Sequence, residues 1–161
     1  MQTSAKNYSG KLFKTILFAG FIAGTLDALA AIINFYVATG KNPLIVFVFI
    51  ASGVLGKQAY SDGQSIALLG LFFHYIIAIM FSAFYFLMYP KLKFLHLNKL
   101  NAAIIYGIFV WLVMNLIVVP LSKTSPLPFK IMNALLAVVI LIVCIGIPIS
   151  FIASSFYNKR T

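Results

Sequence analysis

Apolar residues run almost unbroken through this chain, in five stretches separated by short polar breaks. The stretches are Ile16–Thr39, Pro43–Gly56, Ile66–Met88, Ala102–Leu121 and Ile131–Phe156. Four of them reach about twenty residues, the length a helix needs to cross a hydrocarbon core roughly 30 Å thick. Pro43–Gly56 would extend only about 21 Å as a helix, at 1.5 Å per residue, and falls short. Backbone polar groups cannot stay unpaired in lipid, so each run predicts a helix. The expected fold is an all-α integral membrane protein: four transmembrane helices plus a short outer half-helix or re-entrant segment, in one domain over residues 1–161.

Charge placement chooses between four and five crossings. With four, the segments holding both termini carry Lys6, Lys11, Lys14, Lys91, Lys93, Lys99, Lys159 and Arg160. The opposite segments carry Lys41, Lys57, Lys123 and Lys130. Counting Pro43–Gly56 as a span would equalise the two sides, so the positive-inside rule favours four spans with both termini cytoplasmic. Tyr36, Tyr85, Tyr89, Tyr106 and Tyr157 fall near the expected span ends, where an aromatic belt is anticipated. Pro43 suits a first helical turn, and Gly53 and Gly56 suit the end of the half-helix.

Composition agrees with this class: 63% of the 161 residues are apolar and 9% are charged, with a mean hydropathy of +1.06. Soluble domains carry roughly 25% charged residues. The net charge of +10 comes from cations in small groups at the ends of apolar runs. That placement fits anionic lipid headgroups and membrane orientation, and nothing resembles a nucleic-acid module or basic arm. The lysines ahead of Ile16, with Ala28-Leu29-Ala30 further on, resemble a cleavable signal. Apolar sequence resumes at once through Val37, so an uncleaved first span is expected. Asn42-Pro43-Leu44 and Ser125-Pro126-Leu127 both precede apolar runs, too short a match to establish a repeat.

Candidate chemistry lies in the few polar residues inside spans, where ionisable groups are costly and face a partner or a cavity. Gly20, Gly24, Asp27, Ala31 and Asn34 form one stripe of the first helix, at about 100° per residue. Ala67, Gly70, His74 and Ala78, continued by Ser82 and Tyr85, form a similar stripe on the next full span, and Gly107, Trp111 and Asn115 share a side of the third. Gly20, Gly24, Gly70 and Gly107 are the expected helix-packing positions, with Gly24 and Gly70 bringing the first two full spans together. Counted from the cytoplasmic end, Asp27, Asn115 and His74 lie at depths of roughly 16, 20 and 21 Å. They predict a polar layer near the midplane, with Asp27 facing His74. One reading of that layer is interhelical adhesion; the other is a proton or substrate site.

Other chemistries are excluded or weak. One deep His and one deep Asp do not fill a zinc site, which takes three or four ligands. A haem would have a single deep histidine ligand within the chain. Cys144 offers no disulfide partner, and no oxyanion-hole loop accompanies it, so no enzyme activity and no cofactor are expected. His96 reads as an interfacial residue, and Gly146-Ile147-Pro148 as a bend in the last span.

Taken together, Gly20-x-x-x-Gly24-x-x-Asp27, the Ile50–Gly56 segment, Gly70-Leu71-Phe72-Phe73-His74, Tyr106-Gly107 and Trp111-x-x-Met114-Asn115 through Val118-Val119-Pro120-Leu121 resemble the small uncharacterised bacterial inner-membrane proteins of the YagU type. The resemblance implies a four-span inner-membrane protein and brings no activity with it. Function is then expected to be either small-solute or proton-linked transport, or a structural or assembly role through helix packing with another copy or another membrane protein.

Overall fold

The computed structural model describes residues 2–61, 64–124 and 130–158. Asp62, the Ser125-Pro126-Leu127 segment, Lys159 and Arg160 lie outside the described residues. Four long apolar helices form the frame: α1 (Gln2–Thr39), α3 (Gln64–Met88), α5 (Lys99–Leu121) and α6 (Ile131–Asn158). The half-helix α2 (Ile45–Leu55) continues as a 3-10 turn over Gly56–Tyr60, and a single turn, α4 (Phe94–Leu97), bridges α3 and α5. This is a multi-pass helical membrane protein. Exposed apolar residues such as Phe18, Phe72, Leu116 and Leu135 cover the outside of the bundle, as a lipid-facing surface requires.

Local chemistry explains most boundaries. Gly40 and Gly56 take φ of +65° and +67° and end α1 and α2, a conformation that costs glycine little. The Asn98 carboxamide oxygen accepts from the backbone N–H groups of Leu100 and Asn101 and starts α5. Two expectations shift slightly. Pro43 stands in the turn before α2 instead of inside its first helical turn, and the helical segment runs on in 3-10 form past Gly56 to Tyr60. The first helix also begins well ahead of the apolar run at Ile16, carrying its lysines on a continuous helix.

Close helix packing depends on positions without side chains. A Cβ on Gly20 would lie 2.8 Å from the Ile79 backbone, and one on Gly24 would lie 3.0 Å from Ala78, so these two glycines set the α1–α3 approach. Gly70 serves a different pair. A Cβ there would collide with the Phe47 carbonyl, so Gly70 seats the half-helix α2 on α3 and not α3 on α1. The α5–α6 contact is reciprocal: Gly107 lies against the Ile142 backbone, and Gly146 lies against the Ala103 carbonyl.

Two apolar clusters result. One, at the end of the bundle where Tyr8 meets Phe156, gathers Tyr85, Phe86, Tyr89, Tyr106 and Ile149; the other, under the half-helix, gathers Ala28, Phe47, Val48, Ala51 and Ala67. The first cluster corrects the aromatic-belt expectation. Tyr85, Tyr89 and Tyr106 are only 1%, 1% and 6% exposed, whereas Tyr36, at 59%, does face outward. The buried hydroxyls have partners: Tyr106 donates to the Phe81 carbonyl, and Tyr85 donates to Ser150, which donates to the Lys99 carbonyl. Those bonds make burial of the rings affordable inside the protein.

Candidate functional site

Two local distortions of the long helices open a cavity. Met114–Val118 in α5 and Ile142–Gly146 in α6 are π-helical turns, shown by i+5 bonds from Val119 N–H to the Met114 carbonyl and from Ile147 N–H to the Ile142 carbonyl. Each ends two residues before a proline, Pro120 and Pro148. Proline cannot donate to the carbonyl four residues back and its ring collides with it, so one widened turn relieves both problems. Where a bend was expected at Gly146-Ile147-Pro148, the helix carries a π-turn that ends at Gly146.

Between the two π-turns, α1, α3 and the half-helix lies a cavity of about 410 Å³. Asp27 and Asn34 reach it from α1, His74 from α3 and Asn115 from the π-turn of α5. Phe49 and Gly53 of α2 line it, as do Ser122 and Thr124 beyond α5. The last group is tied to the half-helix by a 2.9 Å bond from Lys123 N–H to the Gly53 carbonyl. Its size falls in the usual range of small-molecule sites, about 300–1,000 Å³.

The protons on the lining can be assigned from their partners. His74 Nε2 lies 2.8 Å from the Gly24 carbonyl, which only accepts, so Nε2 carries a proton and Nδ1 is the nitrogen left to accept whenever the ring is neutral. Phe47 and Tyr75 pack edge-on against the imidazole and hold its plane, while the Tyr75 hydroxyl is anchored to Thr25 at 2.9 Å. Asn115 uses one of its two Nδ2 hydrogens on the Trp111 carbonyl at 2.9 Å, which leaves its Oδ1 to accept and one N–H to donate. Ser122 donates to the Val119 carbonyl, so Thr124 donates to Ser122 and its own oxygen remains an acceptor. Asp27 makes no hydrogen bond among the described residues and lies within Coulombic reach of His74 and Cys144. The lining therefore presents acceptors from α1, α3 and α5. Side chains able to donate there are Asn34, Trp111 and, with its second amide hydrogen, Asn115.

Asp27, His74 and Asn115, grouped by sequence depth, all line this one cavity. Asn115 is the most open of the three, lying on an exposed part of α5. Gly20, Gly24, Gly70 and Gly107 lie on helix contacts around it, not on its wall. His96 lies elsewhere, stacked on Tyr89 at 4.4 Å and donating to the Tyr89 carbonyl. No group of three metal-ligating side chains occurs among the described residues. The sequence did not reveal the roles of Phe47, Thr25 and Tyr75 in holding His74, nor the π-turn of α5, for which Pro120 near the end of its apolar run was the available signal.

Comparison with models of known families, with curated proteins and with solved structures finds no match for this chain. The geometry of the cavity is thus the basis for a functional reading.

Proposed function

We propose that this membrane protein binds a small solute in the cavity between its helices and moves it across the bilayer, with Asp27 and His74 exchanging protons during the cycle. One observation carries the reading: side chains on α1, α3 and α5 bring acceptor atoms to one shared cavity, and Asp27 makes no hydrogen bond to a neighbouring helix among the described residues. A polar layer serving only adhesion would spend its hydrogen-bonding groups on neighbouring helices, as Ser82 does by donating to the Ile16 carbonyl at 2.9 Å. Asp27 has His74 and Cys144 as its titratable neighbours, so a change in its protonation alters the field of the whole cavity.

The competing reading, a structural or assembly subunit, draws on the backbone-close contacts at Gly70, Gly107 and Gly146. Those contacts build the bundle under either reading, whereas the open acceptors serve only the first. The excess of cations on the side holding the termini, together with the resemblance of the motifs to the YagU type, supports a bacterial inner-membrane location with cytoplasmic termini and anionic headgroups around those cations. No catalytic step is proposed.

The test is proton flux into liposomes that contain the purified protein and a trapped pH-sensitive dye. Wild-type protein should dissipate an imposed gradient faster than protein-free liposomes, and Asp27→Asn should remove the excess. Equal flux from wild type and variant would defeat the proton-linked role.

A further inference from the structure

We infer that the solute class this cavity takes is a compact organic cation: a protonated amine carried on an apolar body. The inference rests on the proposed solute-binding role and names what the site selects. Among the described residues Asp27 supplies the one carboxylate of the lining and no Lys or Arg reaches it, although the chain as a whole carries +10. An anionic solute would meet Asp27 with no cation to offset it. The acceptor atoms point the same way, because Asn115 Oδ1, the Thr124 hydroxyl oxygen and, in the neutral ring, His74 Nδ1 have no donor among the described residues. An ammonium group has donors and no acceptor, matching that set.

The apolar part of the solute has its own complement. Phe49, Phe81 and Trp111 bring aromatic rings to the lining, and Ile50, Ile77 and Val110 supply aliphatic surface. Aromatic faces attract a cation, most strongly where water is displaced. A carboxylate without a hydrogen bond in a largely apolar surrounding is costly, and a bound ammonium relieves that cost directly. A neutral polyol fits less well, since it would need as many donors as acceptors from a wall that is mostly apolar.

The experiment uses the full chain in detergent and three molecules of nearly the same shape: cyclohexylmethylamine, cyclohexylmethanol and cyclohexanecarboxylate, which are cationic, neutral and anionic at pH 7. Thermal stability is followed against the concentration of each. The amine should raise the melting temperature at concentrations where the alcohol and the carboxylate do not. Asp27→Asn should weaken the amine response about ten- to a hundredfold, the value of a charge-assisted hydrogen bond. Ala137→Phe adds bulk to the cavity wall while leaving every polar side chain of the lining in place and should abolish the response; it serves also if the Asp27 variant fails to fold. An alcohol or carboxylate response equal to the amine's overturns the cation assignment and leaves solute binding standing. No response to any of the three overturns both, and an amine response that survives Ala137→Phe places binding elsewhere and overturns the inference.

Discussion

His74 donates its Nε2 proton to the carbonyl of Gly24, one helical turn before Asp27 on the same helix, and so interacts with Asp27 through space. The imidazole is fixed by a backbone atom, which side-chain substitution cannot remove. Its orientation therefore survives changes at residue 27, and the two side chains influence each other electrostatically.

That arrangement predicts non-additive substitutions. Asp27→Asn and His74→Gln should each change the stability of the detergent-solubilised protein, and the double change should cost less than their sum. Coupled neighbours typically deviate from additivity by about 0.5–3 kcal/mol. Thermal unfolding of the four proteins measures the difference, and strict additivity would show that the two side chains act independently.

The glycines separate into two kinds. Gly70→Ala and Gly146→Ala would drive a methyl group into the carbonyls of Phe47 and Ala103, and each should destabilise the bundle by about 1–3 kcal/mol. Gly10 has nothing within 4 Å of an added Cβ and lies in α1, so Gly10→Ala should leave stability unchanged or raise it by up to about 1 kcal/mol. Unfolding curves for the three variants test this. Equal losses at all three positions would mean that these contacts do not set the helix spacing.

Orientation is read by reporter fusions. Fusions after Leu97 and after Asn158 should report a cytoplasmic position, while one after Asp62, which lies outside the described residues, should report the external side. A cytoplasmic signal at Asp62 would mean that the half-helix crosses the membrane.

The half-helix makes a further prediction. In a Cys144→Ala background, cysteines placed singly across Ile45–Ile50 should react slowly with a membrane-impermeant maleimide added from outside, because Phe47 and Val48 are buried against Ala28 and Ala67 and the whole segment is apolar. A cysteine at the exposed Gln58 should react readily. Fast labelling along the whole segment would place the half-helix on the water-facing surface.

The sequence by itself determined the class, the four spans, the short fifth helix and the polar stripes. These follow from local quantities: the length of an apolar run against bilayer thickness, and the angular spacing of small and polar residues around one helix. Asp27, Ala67, Gly70, His74, Ala78 and Ser82 could be placed on inward faces because lipid excludes uncompensated polar groups and small residues permit contact. Which helix each stripe meets was not a local quantity. Gly70 looked like a partner for Gly24, yet it receives the half-helix, and that choice depends on how five helices share one volume. The tyrosines near the span ends looked like a lipid-facing belt; tertiary packing turned three of them inward, where carbonyls and hydroxyls of other helices satisfy them. The cavity belongs to the tertiary structure for the same reason. Pro120 and Pro148 mark where two helices must deform, but only their placement beside each other and against α1 and α3 turns two widened turns into a space holding Asp27, His74 and Asn115. Periodicity fixes what faces inward along one helix, and the docking of helices decides what each inward group meets.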